Sequence, residues 1–210
     1  MTTETVSARR LHTREKLMEA AIVRFADKGV LAATVEDICE QAGFTRGAFY
    51  SNFASKDDLC IAVMRRQAHL KLCTTESATL ALPSRPGDAD ELESLIDGAV
   101  ALFLAGLPSD RNALIADSEL RLYAVRNPAV RDAFLSLTSE MTLLIGNVLT
   151  AALERFGARL TLPVDQAIEL LYAVYEHSGT TALIHGREPD DASRARQLAA
   201  LLRSLVVPVA

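Results

Sequence analysis

Thr34, Thr45 and Ser55 stand eleven and ten residues apart, each ahead of a stretch of helical character. A hydroxyl in such a place accepts a hydrogen bond from an amide that the helix cannot pair itself. In Thr34-Val-Glu-Asp37 and Ser55-Lys-Asp-Asp58 an acid follows three residues later, the pattern of a reciprocal capping box. Helices started so close together must be short and must turn sharply on one another. The spacing predicts a helix over 35–42 stopped by Gly43, a very short one over 45–52, and a longer one opened by Ser55 and reaching the 70s. Ahead of them, Thr13 is placed to cap a helix over 14–28. Its Leu17, Ala21 and Phe25 form one apolar stripe, and Gly29 stops it.

Helical periodicity continues to the end of the chain. Segments near 89–106, 110–126, 128–156, 165–185 and 191–206 lie between glycine and proline breaks, and Asn127-Pro128 is a cap followed by proline at a first helical position. The expected class is therefore all-α, with about nine helices. The N-terminal part, 10–70, reads as a three-helix helix-turn-helix domain whose fourth helix crosses into the next domain, 71–210.

Half of the 210 residues are apolar, enough for a sizeable core without staples. The three cysteines are odd in number and far apart, so a reducing compartment is expected rather than a disulfide framework. The longest charge-free stretch, Met141–Leu153, falls short of the ~20 residues that span a bilayer, and the start MTTETVSARRLHTREK has no apolar leader region. These features predict a cytoplasmic protein with no membrane partner. The net charge of −5 conceals an uneven distribution: residues 1–66 carry ten basic and nine acidic side chains, residues 67–210 twelve and eighteen. Any grip on phosphate must come from a local cluster near the N-terminus.

The helices over 35–42 and 45–52 meet the steric demands of a helix-turn-helix. Cys39 and Ala42 are small enough for close crossing, Gly43 tolerates the positive φ of the turn, and Ile38, Phe44 and Phe49 can fill the space beneath. The second helix would offer slender or polar groups outward: Thr45, Arg46, Gly47, Ala48, Tyr50, Ser51 and Asn52. The plain alternative is a compact helical unit whose Arg46 and Lys56 are solvated charges.

The run TREKLMEAAIVRFADKGVLAATVEDICEQAGFTRGAFYSNFASKDDL resembles the N-terminal DNA-binding domain of TetR-family transcriptional regulators. The likeness rests on Arg14, Ala20-Ala21, Phe25, Gly29, Thr34, Ile38, Ala42-Gly43, Arg46-Gly47, Tyr50, Phe53 and Ser55-Lys56, and covers about the first third of the chain. It implies a repressor, usually dimeric, that binds a pseudo-palindromic double-stranded operator and is released by a small-molecule effector. On that resemblance Thr45 and Arg46 would meet bases or adjoining phosphates. Gly47 and Ala48 would let the helix approach the groove floor. Tyr50 would bond a phosphate, flanked by Ser51 and Asn52. Lys56 and Thr34 would hold phosphates with help from helix N-termini. Asn52 stands where many relatives carry His, so it can donate but never become charged.

Five further expectations complete the reading. The basic run Ala8–His12 reads as a disordered lead-in rather than a minor-groove arm. Leu170, Leu171, Val174 and Ile184 with Leu198, Leu201, Leu202 and Leu205 form a homodimer face, the alternative being intramolecular core. Phe103, Glu119, Tyr123, Tyr172, Glu176 and His177 are polar or aromatic groups on apolar helices that could line an effector pocket, although surface acids and core tyrosines are the commoner occupants of such positions. Buried acids in a pocket would suit a cationic ligand. Cys60 and Cys73 lie along one helix and read as buried apolar groups rather than thiol sensors. Histidines and cysteines share no metal-ligand spacing, and phosphate loops and nucleophile elbows are lacking, so no enzyme, metal or cofactor is expected. The rival class is a helical enzyme or a non-DNA interaction protein.

Overall fold

The computed structural model describes residues 2–79, 89–105 and 107–209. Among these, nine helices occur: α1 (Thr2–Ala32), α2 (Val35–Ala42), α3 (Arg46–Tyr50), α4 (Lys56–Thr79), α5 (Ala89–Ala105), α6 (Arg111–Arg126), α7 (Pro128–Arg155), α8 (Val164–Ile184) and α9 (Asp191–Leu205). The expected all-α class therefore stands. Two three-residue strands, β1 (Ala158–Leu160) and β2 (Val206–Pro208), pair antiparallel with Arg159 opposite Val207, an element too short for periodicity to announce.

The chain forms two compact units, Met1–Arg66 with Asp110–Ser136, and Gln67–Ser109 with Leu137–Ala210. In the first, α6 and the start of α7 pack with the N-terminal helices, where α1 and α6 lie side by side. The expected stripe of Leu17, Ala21 and Phe25 is fully buried, joined by Val30, Ile38, Phe49, Leu59, Leu120 and Val130. Helix α1 starts well before Thr13, whose hydroxyl donates to Arg9 O instead of capping, and the basic run Ala8–His12 is helical rather than disordered. Gly29 interrupts α1 at φ 77° and ψ 157°. There the Val30 amide donates to Glu119 Oε2 at 3.2 Å, and a Cβ on Gly29 would come within 2.8 Å of that same oxygen.

In the second unit Leu95, Ile96, Val100, Leu149, Leu153, Leu171, Leu198 and Leu202 form one core from α5, α7, α8 and α9. Arg203 ties α9 to α5 through Glu93 and Asp97. Arg194 is 1% exposed, bonded to Asp191, and its guanidinium lies 5.0 Å from the Tyr175 ring centre. Four of the eight residues expected at a dimer face, Leu171, Leu198, Leu202 and Leu205, are thus core of their own chain, whereas Leu170 and Ile184 are exposed. By length and composition α7 is the one described helix apolar enough to cross a membrane, although Arg131, Asp132, Glu140 and Glu154 interrupt it.

Two glycines test this packing in opposite directions. Gly29→Ala meets both a left-handed φ and the Glu119 carboxylate, so urea unfolding should show a loss of more than ~1 kcal/mol. Gly98→Ala, in α5 with nothing within 4 Å of the new methyl, should gain ~0.5–1 kcal/mol by the same measurement.

Candidate nucleic-acid interface

The helix-turn-helix is assembled from side-chain caps. Thr34 Oγ1 accepts from the Asp37 amide at 3.1 Å, while Asp37 Oδ2 accepts from the Thr34 amide at 2.9 Å, closing the expected box. Lys28 Nζ donates to the other carboxylate oxygen at 2.7 Å. The Lys28 ammonium, then the Thr34 donors, hold the Asp37 carboxyl well below the usual carboxylate range. Gly43 ends α2 at φ 70° and ψ 30°, and the Phe44 amide returns to Cys39 O at 2.9 Å. Ile38, Cys39 and Phe49 are buried beneath the crossing as anticipated, with Phe44 half-buried.

Thr45 caps α3 by accepting from the Ala48 amide at 3.2 Å. Outward from α3 stand Thr45, Arg46, Gly47, Tyr50 and Ser51, all exposed, with Ala48 half-buried. Tyr50 meets the buried Phe49 ring edge to face at 5.3 Å, which leaves its own ring 51% exposed. Arg46 Nη1 lies 2.5 Å from Glu36 Oε1 on α2, and its guanidinium carbon 5.8 Å from the Tyr50 ring. Bonding to Tyr50, then the Glu36 charge, raises the Arg46 pKa further above its ordinary value.

Two residues placed at this surface by resemblance do other work. Asn52 is 9% exposed, and its Nδ2 donates to Ala48 O at 2.8 Å and to Ser51 Oγ at 3.2 Å. It closes the end of α3 instead of facing outward. Lys56 Nζ donates to Val30 O (2.8 Å), Ala33 O (3.0 Å) and Leu31 O (3.2 Å). An ammonium has three donors. All three are directed to the last carbonyls of α1, so Lys56 caps that helix. Sequence reasoning gave Arg10 and Arg14 no part in holding α3. Arg14 Nη1 donates to Asn52 O at 2.7 Å with its guanidinium 4.3 Å from the Phe53 ring centre, and Arg10 Nη2 donates to Ser51 O at 3.3 Å. Their positions one helical turn apart were the available signal.

The six expected pocket residues divide between the units. Glu119 receives the Val30 amide, and Tyr123 donates to Asp57 Oδ1 at 2.6 Å while Asn127 Nδ2 donates to Asp57 Oδ2 at 2.9 Å. Both therefore hold α6 to the first unit, and burial followed by the Asp57 carboxylate pushes the Tyr123 hydroxyl pKa up. In the second unit Phe103 and Tyr172 meet edge to face at 4.9 Å, with half-buried Glu176 one turn beyond Tyr172, whereas His177 is exposed. Burial pushes the Cys60 thiol up to about 12, which suits a buried apolar group and not a sensor. The Cys73 side chain lies outside the described residues.

Replacing Lys56 with Met is expected to lower stability by ~1.5–3 kcal/mol, the range for hydrogen bonds to a charged group, and if capping α1 is its whole task the salt dependence of DNA binding stays parental. Urea unfolding and a salt titration of binding check both halves. For Asp37 the depressed carboxyl pKa gives stability that is fully present above the unfolded value of 3.8 and is lost as pH falls through the lower folded value. Asp37→Asn should therefore unfold more easily than the parent at pH 7, with the difference shrinking below pH ~4, as unfolding curves at several pH values will show.

Residues 17–63 match the family described as bacterial regulatory proteins, tetR family. Over 79 residues the chain is 38% identical to the probable acrEF/envCD operon repressor of Escherichia coli, which covers 38% of this chain and 36% of that protein. Over 52 residues it is 40% identical to the transcriptional repressor KstR2 of Mycolicibacterium smegmatis, a quarter of each chain. The chain thus matches only about a third or less of the length of these curated relatives. The fold likeness is broader: FadR of Bacillus subtilis, solved in complex with stearoyl-CoA, shares a TM-score of 0.72 over 90% of this chain and 96% of its own, at 18% identity. The capped helix-turn-helix and the matched residues identify 17–63 as a DNA-binding domain of the tetR type, and the solved structures share the helical fold of the rest.

Proposed function

We propose that this protein is a cytoplasmic, DNA-binding transcriptional repressor with no enzymatic role, acting as a homodimer on a pseudo-palindromic operator and released by a small-molecule effector. The observation that carries the reading is the outward face of α3. It is held at both ends, its floor is buried, and it offers Thr45, Arg46, Gly47, Tyr50 and Ser51 to solvent. Gly47 adds a particular argument. A Cβ there would meet only Thr45 Oγ1, at an ordinary 3.7 Å, so nothing inside the chain requires glycine in this helix. Glycine there costs ~1 kcal/mol against alanine. A bare backbone is useful for close approach by something outside, such as a groove floor.

Arg46 and Thr45 are the base readers in this proposal. Tyr50, Ser51, Thr34 and the amides at the start of α2 position the backbone phosphates, and Gly47 with Ala48 gives clearance. Residues 10–70 act as the DNA-binding domain and 71–210 as the effector and dimer domain. One five-residue helix covers few base pairs, so useful affinity needs two copies spaced about one helical turn, ~34–36 Å. For the effector, Phe103, Tyr172 and Glu176 form the lining we favour. The stearoyl-CoA bound to FadR supports the reading that a helical body of this fold can hold a ligand. Release follows if the effector prefers the conformation whose paired α3 helices no longer match the groove spacing.

Selection of bound fragments from random DNA tests the reading. Two half-sites about one turn apart should emerge. Arg46→Ala should lose ~10-fold or more in preference at one guanine, whereas Tyr50→Phe should weaken all sequences alike. Recovery of unenriched DNA by the parent protein would falsify the assignment.

A further inference from the structure

The ion pair between Glu36 and Arg46 has no structural task. The two side chains are 55% and 60% exposed. Exposed pairs of this kind contribute little to stability and are screened by salt. An acid in the first turn of a helix can serve the helix dipole, but in α2 Asp37 already does so through the capping box. The Glu36 side chain reaches across the turn to α3 instead, with Oε1 2.5 Å from Arg46 Nη1. A carboxylate so placed is also costly beside a polyanion. It lies next to the residue proposed to read bases, and it repels phosphate.

From this juxtaposition we infer that Glu36 is a second specificity-determining residue, which reads a cytosine next to the guanine taken by Arg46. The inference rests on the proposed DNA-reading role of α3. Glu36 holds one guanidinium nitrogen, so the remaining Arg46 donors are turned toward a single guanine edge, O6 and N7. Its second oxygen, Oε2, is an acceptor with no donor function. In the major groove such a group accepts from the exocyclic amine of cytosine and is repelled by the acceptor edges of guanine and by thymine O4. The pair thus joins an attractive element to a repulsive one, and discrimination needs both.

The test is fragment selection from random DNA with the full chain, run in parallel for the parent, Glu36→Gln, Glu36→Ala and Arg46→Ala. Circular dichroism melts first confirm that each variant is folded, as the exposure of both side chains leads us to expect. The parent should enrich a guanine that Arg46→Ala loses, and an adjacent cytosine. In Glu36→Ala the cytosine preference should fall at least fivefold, and the Arg46 guanine preference should weaken with it. Glu36→Gln, which keeps the shape but loses the charge, should exchange cytosine for adenine, because an amide pairs with adenine N6 and N7. Both Glu36 variants should bind unrelated DNA more tightly than the parent, since a negative charge has gone. Base preferences unchanged in the Glu36 variants, or weakened equally at every position, overturn this inference while Arg46→Ala still loses its guanine. If Arg46→Ala loses nothing either, α3 is not a base reader and both readings fall together.

Discussion

A helix of five residues cannot hold itself together. Nucleation fixes several dihedral angles for one hydrogen bond, and short isolated helices are unstable in water. Helix α3 exists because other parts of the chain supply what it lacks. Thr45 satisfies an amide at its start, and Phe49 anchors it in the core. At its end Asn52 takes the Ala48 carbonyl, while Arg10 and Arg14 reach from α1 to the carbonyls of Ser51 and Asn52. Cations at a helix C-terminus are also favoured by the aligned peptide dipoles. Of the outward residues, Thr45 at the start and Ser51 at the end take part in capping, whereas Arg46 and Gly47 between them have no part in holding the helix.

The same device recurs one layer back. Lys56, the first residue of α4, gathers three carbonyls at the end of α1, and Glu119 takes the Val30 amide at the Gly29 break. Asp57, next in α4, receives Tyr123 and Asn127 from α6 and the connection after it. Each contact joins a charged side chain to a helix end, a phenol or a side-chain amide, and all but the Lys56–Leu31 bond are partly buried. Helices α1, α4 and α6 are therefore fixed by directional bonds as well as by apolar contact, and the helix-turn-helix inherits a rigid base. This matters for the proposed reading of DNA, in which a misplaced α3 would lose base contacts without unfolding.

What the sequence revealed and what it hid divide along a physical line. Local signals were legible: the box at Thr34 and Asp37, the caps at Thr45 and Ser55, the stop at Gly43 and the five later helices all depend on residues a few positions apart. Partners distant in the chain were not. Lys56 looks like a free cation until α1 is folded beside it, and Asn52 looks polar and outward until its end of α3 turns in. Glu119 and Tyr123 have the composition of a pocket lining, yet serve to fasten helices, because a buried carboxylate or hydroxyl needs a partner and the nearest helix end provides one. Leu171, Leu198, Leu202 and Leu205 show the same limit: a leucine stripe announces burial but not which surface buries it. The likeness to relatives in the first third of the chain carried the expected residue roles, and the fold adds that Lys56 also caps α1.

That internal use shapes the proposed binding mode. Among the described N-terminal cations, Lys56 is occupied by carbonyls, Arg10 and Arg14 each bond the end of α3, Lys28 is paired with Asp37, and Arg46 is paired with Glu36. Carboxylates offset the charges of Lys28 and Arg46, while Lys56, Arg10 and Arg14 keep theirs but have donors committed to carbonyls. Non-specific affinity scales with the number of phosphates neutralised and the counterions released, so a single copy of this surface should hold random DNA weakly. Neutral donors at the start of α2, the Tyr50 hydroxyl and the geometry of two paired copies must supply the rest. A protein built this way gives up indiscriminate grip, and its occupancy of an operator depends on the match between the spacing of two α3 helices and the turn of the duplex. In the proposed mode, a modest change in that spacing, such as an effector would cause, is enough to remove it.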